Sequence, residues 1–355
     1  LGNALSAFVF GHLDGFKGWA PDLWTALALL AASIVPALLR RREQFLHYCM
    51  MSLPAAALSW LAIAVILILP GRGEWVFGGW DPGVYISEGV ALARTGTFAP
   101  DDSTVFGELD EEEQAVFTRS AEGRTERFPG VVVADTGKRM SFEFFRLHPA
   151  FVGVLYRCGG LRAALRGNTI LGLFAVLVMA AFLLEQFEWV HAVLGALVLA
   201  AQPIFLYHLH VPASEVMQLL LLLGVLLVLP DRARAPWMGA ATVASLLLGL
   251  LLNRFSFLPF ACMMILAVAW ADIGRTDRAR LIPERMLEVG AIAGGAWLDA
   301  LLAPTSLAGW SGQALPLLVS VGAVCLALSV ALDSLGGFPA FRRHVHPAPF
   351  LWRRA

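Results

Sequence analysis

Between Met50 and Leu69 the chain runs for twenty residues without a single Asp, Glu, Lys or Arg. A helix of that length rises about 30 Å, the thickness of a bilayer's hydrocarbon core. Judged the same way, further spans fall at Leu23–Leu39, Thr169–Leu184, Val190–Tyr207, Val216–Leu229, Trp237–Leu252, Phe255–Ala271, Val289–Leu302 and Leu315–Leu332. The Val216 span is short at its polar start and reads as beginning nearer Val211. Only 15% of the residues are charged, against about 25% in a soluble domain. The expected fold is all-α, a polytopic transmembrane helical bundle of about nine spans.

Four parts follow from this pattern. Residues 1–70 form N-terminal spans, and 71–167 form a large first extracytoplasmic loop. Residues 168–332 form the helical bundle, and 333–355 form a basic cytoplasmic tail. Alternating the spans puts Arg40–Arg42, Arg232, Arg234, Arg275, Arg278, Arg280, Arg285 and the tail's Arg342, Arg343, Arg353 and Arg354 on one side, which the positive-inside rule makes cytoplasmic. The opening residues have no signal-peptide pattern, and Leu1–Phe10 reads as the tail of a span begun upstream. No basic tract with interleaved aromatics suggests nucleic acid. The scattered Cys49, Cys158, Cys262 and Cys325 behave as small apolar residues. Gly290 and Gly294 are spaced for helix contact, a weak signal in spans. Span centres lack the ionisable groups that pumps and carriers use, so polar chemistry collects at the helix ends.

Within the large loop, Pro82–Arg94 reads as a helix with Asp81 as its N-cap, Pro82 at the first position and Gly96 as its stop. The acidic residues from Asp101 to Glu113 read as a solvated middle section. Phe128–Met140 reads as strand or loop. His148-Pro149 opens an apolar stretch through Tyr156, better suited to an interfacial helix than to a span.

Asp81 sits just outside a span at the head of a helix, where a carboxylate can serve as a general base if held rigidly and partly shielded. The apolar rim of Trp75, Phe77, Trp80 and Tyr85 would supply the shield. Equally, Asp81 can simply cap the helix. His208, His210 and Glu215 share an external turn. Such a set can contact a donor phosphate, ligate a divalent ion, or form a polar turn with Glu215 opening the next helix. Arg254 is placed to hold a phosphate in a two-point fork or to snorkel at the interface. Arg146 and Arg162 are weaker candidates for the same role.

Asp81-x-x-x-Tyr85 after a span, followed by a small-residue helix ending in Gly96, resembles the GT-C superfamily of membrane glycosyltransferases. In the same order come Phe128-Pro129-Gly130, Phe145-Arg146-Leu147-His148-Pro149, Asn168, Gln202-Pro203 and the run His208 to Glu215. This order is similar to that of bacterial multipass proteins of the aminoarabinose-transferase and protein-mannosyltransferase type, and it covers about Ala56 to Leu252. The resemblance implies a multipass protein of the bacterial cytoplasmic membrane with an extracytoplasmic active site. It implies a polyprenyl-phosphate sugar as donor and a lipid, glycan or protein as acceptor, with membrane lipids around it. Asp81 would be the base of an inverting transfer, with Glu215 the second catalytic choice. Tyr85, Glu88, His148, His208, His210, Arg146 and Arg254 complete the substrate-binding set. A second acidic residue beside the first, common in the family, is replaced here by Pro82. No cofactor is implied with certainty, and a divalent cation is the candidate that the His208, His210 and Glu215 set leaves open. Two other classes stand beside this reading: a non-enzymatic flippase or scaffold of envelope glycan assembly, and an O-antigen polymerase or ligase. The latter would carry its large loop late in the chain rather than early.

Overall fold

A computed structural model describes residues 81–102, 108–121, 124–128, 130–133, 139–187, 189–228, 236–253, 264, 283–284 and 286–295. The expected spans Leu23–Leu39, Met50–Leu69 and Leu315–Leu332 lie outside the described residues. So does Phe255–Ala271 apart from Met264, and so does the second half of Val289–Leu302.

The first described element is α1, Asp81–Thr95, fifteen residues long. Its described part runs from Asp81, and the residues before it lie outside the described ones. It stops where expected: Gly96 takes a φ of 82° and its N–H returns to Leu92 O at 2.9 Å, a left-handed step that glycine makes without steric cost. Then come α2 (Glu111–Val116), β1 (Arg119–Ala121), β2 (Arg124–Phe128), β3 (Val131–Val133) and β4 (Met140–Phe142). The four strands form one antiparallel sheet in chain order, with Val131 opposite Phe142 and Val133 opposite Met140.

This sheet corrects the all-α expectation. Its strands are too short for period-two alternation to stand out in the sequence. The Phe128-Pro129-Gly130 motif lies at the β2–β3 connection, where Gly130 has a φ of 82°.

The acidic middle section is also not uniformly solvated. Asp110 and Glu113 form a capping box on the exposed α2, but Asp102 is buried. Arg127 Nε donates to Asp102 Oδ1 at 3.0 Å and its Nη2 to Oδ2, while Nη1 donates to Gln114 O at 3.1 Å. A guanidinium fork matches a carboxylate in this two-point manner, and it latches β2 to Asp102 and to α2 itself.

α3 (Leu147–Leu165) follows, broken internally at Gly159–Gly160. It is longer than the expected interfacial helix but starts at the expected place. α1 lies between two apolar layers. Val84 packs with Val131, Met140 and Phe142 of the sheet, and Ile86 packs with Val152 and Ala164 of α3. The α1 and α3 backbones approach closely through two glycines. A methyl on Gly89 would sit 2.6 Å from Val152 Cγ1, and one on Gly153 would sit 2.9 Å from Gly89 O.

The remaining helices are α4 (Gly167–Gln186), α5 (Trp189–Ala201), α6 (Pro203–His210), α7 (Glu215–Val228), α8 (Pro236–Asn253) and α9 (Met286–Gly295). The expected Val190–Tyr207 span is thus two helices, bent by 60°. Pro203 lacks the N–H that would continue the ladder, and Gln202 caps the new helix by accepting from Phe205 N at 2.9 Å. The expected span at Val216 starts at Glu215, not nearer Val211. Among the described residues no single helix is long and apolar enough to cross a membrane. Two bent pairs meet that standard together: Leu147–Leu165 with Gly167–Leu183, bent by 89°, and Val190–Ala201 with Pro203–His210. Nine straight spans are therefore not what the described residues display.

By contacts the chain falls into two compact units. One is Leu1–Leu173 with Ala196–Val216, which contains α1, the sheet, α3, the head of α4, and α6. The other is Phe174–Gly195 with Met217–Ala355. In the second unit, Asn253 Nδ2 of α8 donates to Gln218 Oε1 of α7 at 2.6 Å, the kind of interhelical polar clasp that apolar surroundings favour.

Candidate functional site

The candidate residues that the structure gathers lie in the first unit, around the turn between α6 and α7. The sequence of that turn explains its shape. His208 O at the end of α6 would find its helical donor on residue 212, but Pro212 has no N–H. Val211 turns to extended backbone (φ −109°, ψ 117°) and the helix ends. The orphaned carbonyls are taken up by the head of α4. Asn168 Nδ2 lies 3.0 Å from His208 O, 2.7 Å from Val211 O and 2.8 Å from Ala213 O. Thr169 Oγ1 donates to Leu209 O at 3.3 Å. Leu209 fits against Gly172, where any side chain would collide with it.

The turn is also fastened to α1. Tyr85 is buried against Val211, Ala213 and Phe144, and its hydroxyl lies 3.2 Å from Ser214 Oγ. Ser214 immediately precedes Glu215, the first residue of α7, and Tyr85 lies one helical turn beyond Asp81. The single contact therefore ties the part of α1 just beyond Asp81 to the head of α7, whose first residue is Glu215.

His148 is completely buried in the first turn of α3. Its Nε2 lies 2.9 Å from Asn168 Oδ1, and its ring meets the Tyr85 ring edge-on at 5.1 Å. Burial pushes its pKa down to about 4, against smaller opposing pulls from the Asn168 hydrogen bond and the Glu215 charge. Glu88 is also completely buried, with neither carboxyl oxygen hydrogen-bonded among the described residues. Arg146 Nε stands 3.8 Å from Glu88 Oε1, and the guanidinium also lies over the Phe98 ring at 5.3 Å. Desolvation outweighs the pull of Arg146 and lifts the Glu88 carboxyl to about 8. Near neutral pH it is mostly a neutral acid, so the contact with Arg146 is not a pair of full charges.

His208 Nδ1 lies 3.9 Å from Glu215 Oε2, with both side chains partly exposed. That separation is too long for a hydrogen bond but close enough for the carboxylate to orient the ring. His210 lies two residues on, half-buried, at the end of α6. Asp81 is exposed, which corrects the expectation of a shielded carboxylate. Tyr85, expected in the shield, is buried instead with its hydroxyl toward Ser214, and Trp75, Phe77 and Trp80 lie outside the described residues. Arg254 also lies outside them, directly after Asn253. Arg162 is exposed on α3.

The structure thus brings Tyr85, His148, His208 and Glu215 to one turn, and pairs Glu88 with Arg146 beneath α1. Two residues at the turn's centre were named in the sequence only as members of the motif order, without a role: Asn168, and Ser214 within the run His208 to Glu215. The available signal was Pro212, four residues beyond His208, which announces a carbonyl in need of a donor. Among the described residues no group of three or more His, Cys, Asp or Glu side chains is arranged to hold a metal ion. No family model, curated protein or solved structure matches the chain.

Proposed function

We propose that the chain is a membrane glycosyltransferase that moves a sugar from a polyprenyl-phosphate donor to an extracytoplasmic lipid, glycan or protein acceptor. The observation that carries this reading is the Tyr85–Ser214 contact, which ties the part of α1 just beyond Asp81 to the head of the Glu215 helix. Helix amino termini carry partial positive charge and favour anions, so a phosphate group suits the head of α7. In this reading Asp81, exposed and free to meet an acceptor, takes the acceptor proton. The incoming oxygen displaces polyprenyl phosphate at the anomeric carbon, and one base without a covalent intermediate gives inversion. Glu215 orients His208 beside the reacting groups. Arg146 or Arg254 supplies positive charge for the leaving phosphate.

A bilayer setting is supported by side chains left exposed along α4, α5 and α6. Phe174, Leu194, Val198, Ile204 and Tyr207 are large apolar side chains left exposed, which a bilayer accommodates. The 89° bend between α3 and α4 suits a helix lying along the interface and then turning into the membrane.

The test is transfer from a panel of polyprenyl-phosphate sugars in proteoliposomes, comparing the wild type with Asp81→Asn. Transfer is expected in the wild type and a loss of about 100-fold or more in the variant, with donor binding retained. Equal rates would leave Asp81 without a catalytic role. No transfer from any donor by a folded protein would overturn the glycosyltransferase reading.

A further inference from the structure

We propose that Asn168 is the positioning residue of this site: one amide fixes the turn that carries Ser214 and Glu215, and also fixes the tautomer of His148, leaving His148 Nδ1 as a buried hydrogen-bond acceptor. Its link to sugar transfer rests on the reading above, whereas the tautomer does not.

The argument is one of proton count. Asn168 Nδ2 carries two hydrogens and faces three carbonyl oxygens, those of His208, Val211 and Ala213. Only the nitrogen end of the amide can face them, since an oxygen there would meet three acceptors. Oδ1 must then point at the imidazole, and because it has no proton, His148 Nε2 supplies one. A neutral imidazole has a single N–H, so Nδ1 is left with a bare lone pair. That nitrogen is buried and has no hydrogen-bond partner among the described residues.

Its titratable neighbours are Tyr85 of α1, edge-on to the ring, and Glu215 of α7, whose charge reaches it. Arg146, two residues earlier, is directed at Glu88 and Phe98. A bare nitrogen lone pair accepts from a neutral O–H or N–H and repels a phosphate oxygen. His148 Nδ1 is therefore matched to a hydroxyl or N–H donor and not to a phosphate oxygen. Two hydrogens serving three carbonyls also means that one bond at the turn is always shared.

The test uses the full chain, labelled with 15N-histidine in detergent micelles, and two-bond 1H–15N spectra that separate the tautomers. The His148 signals are identified by their loss in His148→Gln. The expected wild-type result is an Nε2–H imidazole that stays neutral to about pH 5, given a pKa near 4. An Nδ1–H form, or titration in the ordinary histidine range, would overturn the proposal. In Asn168→Asp a carboxylate replaces the amide. The His148 titration is then expected to rise by at least about one pH unit, and kcat for transfer to fall by about tenfold or more with donor KM changed far less. A variant with unchanged titration and unchanged kcat would also overturn it. If Asn168→Asp does not fold, the wild-type tautomer alone decides. The spectra are read without substrate, so absence of transfer would count against the glycosyltransferase reading only.

Discussion

Glu88 and His148 are both sealed from solvent, and burial moves them in opposite directions. Each is held in its neutral form. For Glu88 the folded pKa, about 8, lies above the unfolded value of 4.5. The folded state then holds more protons between those values, and stability falls as pH rises from about 4.5 to 8. For His148 the folded pKa, about 4, lies below 6.5, so stability is lost as pH falls from about 6.5 toward 4. The two slopes oppose each other below 6.5, and Glu88 acts alone above it. Glu88→Gln keeps the shape and removes the charge. It is expected to abolish the decline between pH 6.5 and 8 and to stabilise the protein at pH 8 by on the order of a few kcal/mol. Denaturation in detergent at several pH values checks this. A variant that declines in parallel with the wild type would show that the burial of Glu88 is not what sets the slope.

At the scale of elements, α1 is the member on which the sheet, α3 and the α6–α7 turn all bear. Its contact with α3 depends on missing side chains. Gly153→Ala would place a methyl 2.9 Å from Gly89 O, which backbone cannot yield to cheaply. A loss of about 1–3 kcal/mol is expected, with transfer reduced because the helix bearing Asp81 shifts. A variant as stable as the wild type would mean that α1 and α3 pack less closely than described. The existence of α1 was legible in the sequence because Pro82 and Gly96 are strong local signals. The sheet was not: strands of three to five residues owe their existence to pairing and to packing on Val84, neither of which is written locally. The break in Val190–Tyr207 was written locally, in Gln202-Pro203, but an apolar run on both sides of a proline reads as one span when hydropathy alone is weighed. At the site, His148 and Glu215 were legible as polar groups at helix heads, and Tyr85 only as an aromatic of the rim and the motif partner of Asp81. Asn168 was not, because its role depends on carbonyls some forty residues away.

For the whole molecule, the exposed apolar residues of α4 to α6 make a direct prediction. The protein is expected to remain with the membrane fraction through an alkaline carbonate wash and to be released by detergent. Release by carbonate alone would argue against integral insertion. Within the first unit, the sheet meets α1 at Val84, three residues from Asp81, and again at Ala91 nearer the helix's other end. Two points of contact fix the direction of a rod, so the sheet sets the line along which Asp81 is presented.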